Sequence, residues 1–395
     1  MAIERQTPDP AQEAEQMQDM TTERSDSDID NEIIEILEGL DEEGVQVQED
    51  GSVILGEMEE EMGDVGFSEN LAEVVSQSEL SKIYIELTAA IENDKAARKD
   101  WEKTYTDGLK YLGMKFDDGR SEPFEGASGV IHPLLGESVT QFQAQAYKEL
   151  LPPQGPVKTQ VVGEYSSAVE EQAQRVKEFM NYQIIHVMEE YDEDLDQMLF
   201  YLPLAGSAFK KVYYDENLQR PVSKFVAPED LIVPYYTTDL ESCPRITHVI
   251  KMPENEVKKL QAIGFYRDVR VADGNSSSDA SGVKEEIERL EGMEPSYDTG
   301  EVSNLYEVHC NLDLEGFEDV NAEGEYTEVK LPYIVTIDSN SENILAIRRN
   351  FEEDDPMKDK IEYFVHFKFL PGLGFYGFGL THMIGGLSKA STSIV

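Results

Sequence analysis

The sequence predicts an α+β protein in which long amphipathic helices precede an antiparallel β-rich block. Apolar residues recur at helical spacing through most of residues 80–202, whereas short alternating runs typical of strands concentrate in residues 302–370. Because helices and strands occupy different parts of the chain, a regular βαβ alternation is not expected.

The first part of the chain, residues 1–75, is predicted to be an acidic and largely disordered segment. Residues 1–70 hold 23 Asp and Glu against 2 Lys and Arg, and Phe67 is their only aromatic residue. Such a segment buries too little apolar surface to offset the entropy lost on ordering. Within it, IEILEGL fits a short amphipathic helix and VQVQEDGSVIL a small hairpin, either as docking peptides or as parts of a solubilising tail.

Residues 76–267 are predicted to form a mainly helical region with a short strand pair. The first helical pattern begins near Leu80, and Gly113 is its expected stop. After a polar loop, a second pattern runs from Leu135 to Leu150, where the sequence PPQGP interrupts it.

A third helical pattern, the longest, extends from Val169 to Leu202 on nearly continuous spacing. Unbroken, its roughly 34 residues would reach about 50 Å at the rise of an α-helix. Pro203 and Gly206 mark its end or a kink.

Shorter elements follow this helix. AFKKVYYD and residues 221–226 alternate like the arms of a hairpin, ITHVIKM predicts another strand, and PENEVKKLQAIG predicts a helix that begins at its proline. Residues 268–301 are polar and predicted to be an exposed insertion or linker. The β-rich region spans 302–370. Residues 371–395 hold a glycine turn and the start of a helix that we expect to continue in a longer chain.

The composition limits the classes of function. A net charge of −48 argues against a protein that grips nucleic acid by neutralising phosphates. Cys243 and Cys310 are too few for a disulfide framework or a thiolate metal cluster. The N-terminus has no signal-peptide pattern, and nowhere do about 18 apolar residues run together. We therefore expect a protein that is made in the cytoplasm and does not span a membrane.

The sequence contains partial matches to a calcium-binding loop and a phosphate-binding loop, but each lacks residues that the motif requires. The run DEDLD opens like a calcium loop at Asp192, but Gln197 and Pro203 stand where that loop needs Gly and Glu. GMKFDDGRS has five residues between its glycines, where a phosphate loop has four, and an arginine in place of the lysine. The six histidines are scattered along the chain. We therefore predict no catalytic, cofactor-binding or metal-ligating residue.

The segment PGLGFYGFGLTHMIGGLS contains a literal G-x-G-x-x-G at Gly372, Gly374 and Gly377. Bulky Phe375 and Tyr376 stand where a dinucleotide fold brings the pyrophosphate to the helix, and no second strand with an acidic residue follows. We therefore interpret the glycines at 372 to 379 as a tight turn between the strands and a helix, and expect that Gly374→Val would not assemble normally.

Four segments, taken in order, carry a resemblance to a known family. They are HPLLGESVTQFQAQAYKELLPPQGPVKT, FMNYQIIHVMEEYDEDLDQMLFYLPLAGSAFKKVYYD, FVAPEDLIVPYYTTDLESCPRITHVIKMPENEVKKL and PGLGFYGFGLTHMIGGL. With the acidic start before them and the variable acidic insertion among them, they resemble portal proteins of tailed bacteriophages, particularly of short-tailed phages. The resemblance covers roughly residues 80–395, and the family's later part is expected beyond this chain.

The resemblance implies a ring subunit and not an enzyme. A portal ring, typically of twelve copies, sits at the unique capsid vertex of the virion and assembles in the host cytoplasm. Double-stranded DNA passes through it without tight binding, and it docks the terminase large subunit and contacts capsid, scaffolding and tail adaptor proteins. An acidic conduit suits this role because it repels the phosphate backbone. The alternatives are another structural or head-tail adaptor protein of the virion and a nucleotide-dependent oxidoreductase built on the glycine motif.

Overall fold

The computed structural model describes nine ranges of the chain: 45–47, 53–55, 66–113, 131–215, 218–271, 282–292, 302–320, 325–341 and 343–394. It divides into two compact units, Met1–Asp64 and Val65–Val395. In the first unit, β1 (Val45–Val47) and β2 (Val53–Leu55) pair antiparallel. The small hairpin predicted from VQVQEDGSVIL is therefore confirmed, whereas the helix predicted at IEILEGL lies outside the described residues.

The second unit confirms the α+β prediction, because it combines helices with antiparallel sheets. The helices are α1 (Gln77–Ala97), α2 (Lys99–Lys110), α3 (Leu134–Leu150), α4 (Ser167–Tyr182), α5 (Tyr191–Ala205), α6 (Glu254–Ala262), α7 (Gly282–Glu291) and α8 (Leu380–Ile394). The strands are β3 (Ser207–Asp215), β4 (Arg220–Val226), β5 (Leu231–Ile232), β6 (Arg245–Pro253), β7 (Val302–Leu312), β8 (Leu331–Asp338), β9 (Asn343–Arg349) and β10 (Phe364–Lys368).

The strands form two sheets that cross the predicted boundary between residues 76–267 and 302–370. A five-stranded sheet has the order β5-β6-β7-β8-β9, and a three-stranded sheet has the order β10-β3-β4. Strands β5 and β6 therefore belong with β7, and β10 pairs with β3. The β-rich region does not form a sheet of its own, because the edges of β7 and β3 bond to strands that are distant in sequence.

The first predicted helical pattern corresponds to two helices. In α1, Leu80, Ile83 and Leu87 are buried and pack in one apolar cluster with residues of β7, β8 and β9. The helix is broken at Arg98, whose φ of −97° and ψ of 4° leave the α-helical geometry, and α2 begins at the next residue. The apolar periodicity extends across the break, so the sequence pattern did not reveal that the helix is interrupted.

The longest predicted helix is also broken, so the prediction of one nearly continuous element is wrong. After α4, one π-helical turn (Gln183–Val187) leads to Met188, whose ψ of 80° ends the helix. Just before α5, the Glu190 carboxylate accepts hydrogen bonds from Ser223 N at 3.1 Å and from the Arg220 guanidinium at 2.7 Å. These bonds attach the start of α5 to β4. Helix α4, on the other side of the break, does not pack on the sheet in this way.

The polar segment 268–301 is not all linker, because it contains α7. Val283 of α7 is fully buried, and it packs in a cluster with Tyr105 and Leu109 of α2. Val283, Ile287 and Leu290 lie at i, i+4 and i+7, a helical stripe that the surrounding charged residues had concealed. The flanking residues 272–281 and 293–301 lie outside the described part of the chain.

Candidate functional site

The glycine segment lies directly against the end of α5. A Cβ atom on Gly379 would stand 2.5 Å from Leu204 O and 2.7 Å from both Pro203 O and Gly206 N. On the other side of the contact, Gly206 has a φ of +87° and ends α5 in the left-handed conformation. Side chains are thus excluded from both surfaces, because backbone packs on backbone.

Gly374 is sterically unrestricted in this turn, so the structure gives no reason for Gly374→Val to disturb it. A Cβ atom on Gly374 would meet nothing within 4 Å, and its φ lies outside the left-handed range. The restricted positions are Gly372, where a Cβ atom would stand 2.6 Å from Tyr376 O, and Gly377, where it would stand 3.0 Å from Leu370 O and closer still to Gly206 O. The glycines are needed for close approach more than for a turn.

Three backbone N–H groups of this segment already have acceptors inside the protein. Gly377 N donates to Ser207 Oγ at 2.8 Å, Phe378 N donates to Leu370 O at 2.8 Å, and Gly379 N donates to His382 Nδ1 at 3.1 Å. A phosphate-binding loop presents such groups to its ligand. The geometry here is that of internal packing, which gives the dinucleotide interpretation no support.

The two aromatic residues of the segment are core residues. The Tyr376 ring stacks on Trp101 of α2, with centroids 4.3 Å apart. Phe375 is 6% exposed and packs against His366, whose ring centroid lies 4.6 Å away. The same bulky rings that argued against a cofactor site therefore fasten the glycine segment to α2 and β10.

Arg98, at the break between α1 and α2, joins the segments quoted for the family resemblance. Its guanidinium donates to Leu231 O at 2.9 Å and to Glu229 O at 2.5 Å, both in the APEDLIVP loop. Its Nε contacts Glu102 Oε1 at 2.8 Å, and Nη1 reaches the Tyr376 hydroxyl at 3.5 Å. We call Arg98, Trp101, residues 228–231 and Tyr376 the Arg98 junction.

The exposed apolar surface of α4 is the feature most suggestive of assembly. Its apolar residues follow the spacing i, i+4, i+7 and i+11, a stripe that we call the α4 seam: Val169, Ala173, Val176 and Met180. Val176 and Met180 are each 44% exposed, and neighbouring Phe179 is 62% exposed. An apolar stripe at this spacing normally packs against another element.

The body of the protein holds α4 at only a few points. Asn181 is its one buried residue within the described chain, and its side chain exchanges hydrogen bonds with the backbone of Val157 at 2.9 and 3.2 Å. Thr159 Oγ1 also donates to Ala173 O at 3.1 Å. A helix of 16 residues is marginal in water without tertiary packing. The α4 seam is therefore a candidate contact surface for another protein chain.

A buried ionic group connects the two sheets, and sequence reasoning missed it. Lys211 Nζ of β3 lies 2.5 and 2.7 Å from the two carboxylate oxygens of Glu307 in β7, and His309 Nε2 lies 2.8 Å from Oε1. Strand register brings a second histidine near, because His248 pairs with Glu307 across β6 and β7. Burial favours protonation of Glu307, but Lys211 and then His309 outweigh it and hold its pKa well below the ordinary value.

Acid is expected to destabilise the protein through buried histidines. Burial lowers the pKa of His248 from 6.5 to about 4 and that of His366 to about 3. Because each folded-state pKa is below the unfolded one, the stabilisation is complete above pH 6.5 and is lost as the pH falls towards 4. Each of the two histidines should lower the free energy of unfolding in urea by up to about 2 kcal/mol between pH 7 and pH 5, whereas Glu229, whose pKa burial raises to about 7, offsets part of this loss.

Single histidine variants locate the source of this pH dependence. His366→Gln should flatten the profile, whereas His186→Gln, at an exposed position on the π-helical turn, should leave it unchanged. If the unfolding free energy of His366→Gln depended on pH in the same way as that of the unmodified protein, the assignment would be contradicted.

The remaining reactive groups are the two cysteines and the side chains that can ligate a metal ion. Burial raises the pKa of the Cys310 thiol to about 12, and Cys243 is likewise buried and free. Among the residues that the structure describes, no three His, Cys, Asp or Glu side chains come together in a way that could hold a metal ion. Of the described helices, none combines the length and apolar content needed to cross a membrane.

No protein-family model matches the sequence, and a search of curated proteins finds no significant match.

Proposed function

We propose that this chain is a portal subunit of a tailed bacteriophage. Copies of it form a ring, typically of twelve, at the unique capsid vertex of the virion after assembly in the host cytoplasm. Double-stranded DNA passes through this ring during packaging and ejection. The ring docks the terminase large subunit, contacts capsid and scaffolding proteins, and then receives tail adaptor proteins. The chain itself carries no catalytic role in this proposal.

The α4 seam is the observation that carries the proposal. It gives each copy an apolar, helical surface that the rest of its own described fold leaves exposed. The segment is also nearly neutral for so acidic a chain, because α4 contains three glutamates against one arginine and one lysine. Burial of the α4 seam against a neighbouring copy would remove apolar surface from water without bringing many like charges close to one another.

The charge of the chain supports the role of a conduit. With a net charge of −48, a ring of copies repels a phosphate backbone, so that duplex DNA slides through without binding tightly. Self-repulsion of the same charge opposes assembly. Apolar contacts such as the α4 seam therefore have to supply the association energy.

Charged substitutions in the α4 seam should abolish self-association without unfolding the protein. We expect Val176→Glu and Met180→Glu each to shift the protein from ring to monomer in analytical ultracentrifugation, because a carboxylate would be buried at the contact. The melting temperature of each variant should stay close to that of the unmodified protein, since both side chains are exposed within the subunit.

Ser167→Glu is the matched control for these variants. It adds the same charge to the first turn of α4, on the side opposite the seam by helical geometry. A ring that survives Val176→Glu as well as Ser167→Glu would rule out the α4 seam as the subunit contact. A discrete small oligomer without a channel would instead favour a head-tail adaptor or another structural protein of the virion.

A further inference from the structure

A cavity of about 310 Å³ lies beside the Arg98 junction, between α5, β4, β6 and α7. Its lining combines charged groups with aromatic and aliphatic surface: Gln197, Tyr201, Phe225, Ala227, Glu229, Asp230, Lys251, Lys284, Ile287 and Glu288. Because α7 forms one wall, the segment predicted to be a polar linker takes part in building this site.

Glu229 lines the cavity with a carboxylate oxygen that lacks a partner. The residue is 4% exposed, and among the described residues no hydrogen-bond donor reaches its Oε2. One cation of the lining, the Lys284 ammonium, forms an ion pair with Asp230. A buried carboxylate oxygen without a donor is costly, so this one marks a place where a ligand can supply the missing hydrogen bond.

The walls around Glu229 fit an organic cation better than a metal ion. The Tyr201 and Phe225 rings lie with centroids 5.2 Å apart, and Ile287 adds aliphatic surface. An ammonium or guanidinium group is recognised by a carboxylate together with aromatic faces. Ca²⁺ and Mg²⁺ need several oxygen ligands at one point, and no three acidic side chains among the described residues converge in that way.

We propose that this cavity binds an organic cation, whose primary ammonium or guanidinium group donates to the Glu229 carboxylate while its carbon stem packs on Tyr201 and Phe225. The cation comes either from a free polyamine or from a basic side chain of another copy of the chain. The cavity is formed within a single chain, so binding of a free polyamine does not depend on the proposed ring, whereas the second source requires self-association.

The electrostatics of the cavity agree with a cationic ligand. Burial, and then the charge of Asp230, raise the pKa of Glu229 to about 7. A bound cation stabilises the ionised carboxylate, so binding near neutral pH releases a proton. The other titratable and charged groups facing Glu229 or the cavity are Arg98, Tyr105, Tyr201, Asp230, Lys251, Lys284 and Glu288.

Calorimetric titration with spermidine, and separately with agmatine, tests the proposal. At pH 7 we expect one saturable site in the unmodified protein, weakened roughly tenfold or more in Glu229→Gln. The proton release, measured as a dependence of the binding heat on the buffer, should vanish in the same variant. Glu229→Gln should fold at least as stably as the unmodified protein, because it removes a buried charge without changing the shape.

An exposed carboxylate provides the control for non-specific binding to so acidic a protein. Glu241→Gln removes one negative charge at an exposed position outside the cavity lining and should leave the saturable site unchanged. Equal loss of binding in Glu241→Gln and Glu229→Gln would overturn the proposal, because it would mean that the amines only neutralise surface charge.

Comparison of dispersed and associated protein separates the two sources of the cation. If spermidine binds both forms with one affinity, the ligand is a free polyamine. If it binds only the dispersed chain, and Glu229→Gln weakens self-association, the occupant is a basic side chain of another copy. Absence of saturable amine binding, together with unchanged self-association in Glu229→Gln, would exclude both sources.

Discussion

Gly379→Ala is expected to destabilise the protein by about 3 kcal/mol or more, at the upper end of the range for overpacking. Its Cβ atom would stand 2.5–2.7 Å from three backbone atoms at the end of α5, those of Pro203, Leu204 and Gly206. Backbone atoms cannot rotate away as side chains do, so the glycine segment must separate from α5. Urea unfolding followed by tryptophan fluorescence reports this directly, because Trp101 stacks on Tyr376 in the same segment.

Gly374→Ala is the matched control in the same glycine motif. Its Cβ atom meets nothing within 4 Å, and its φ lies outside the left-handed range. We expect a change within about 0.5 kcal/mol, as for an ordinary surface substitution. If Gly374→Ala were as damaging as Gly379→Ala, the close approach of two backbones would not be the reason for these glycines.

Arg98→Met is expected to cost about 3–5 kcal/mol, the range for removing one partner from a buried charged pair. Glu102 would lose its cation, and the carbonyl oxygens of Glu229 and Leu231 would lose their donor inside the protein. The APEDLIVP loop would then separate from the break between α1 and α2. The measurement is again the free energy of unfolding in urea.

Two further variants separate the charge of Arg98 from its geometry. Arg98→Lys keeps the charge but not the forked set of donors, so we expect an intermediate loss. Lys99→Met removes a cation from the adjacent exposed position and should be nearly neutral. A stable, cooperatively unfolding Arg98→Met protein would show that the Arg98 junction does not hold the loop in place.

Local patterns predicted the elements that depend on local contacts. Helix α3, the β3–β4 hairpin and helix α6 all lie where periodicity, proline and glycine place them. The breaks at Arg98 and Met188 were missed because their causes are distant: Arg98 bonds to carbonyl groups more than 130 residues away in the chain. Periodicity records which face is apolar, but not whether the helix axis continues.

The α4 seam, the glycine segment and the Glu229 cavity could be predicted from the sequence to different degrees. The spacing of the α4 seam was visible, but its exposure depends on α4 remaining off the sheet, which no local signal predicts. The glycine motif identified an important segment, whereas the tightest contact falls on Gly379, outside the G-x-G-x-x-G spacing. The Glu229 cavity requires α7, a helix hidden in a charged stretch.

The most direct test of the account is electron microscopy of the purified protein, free of nucleic acid, with its mass measured in the same buffer. The portal proposal predicts closed rings of uniform copy number with an axial channel wide enough for duplex DNA, and it predicts that Val176→Glu disperses them into folded monomers. A folded protein that stays monomeric or dimeric at every concentration tested would contradict the proposal.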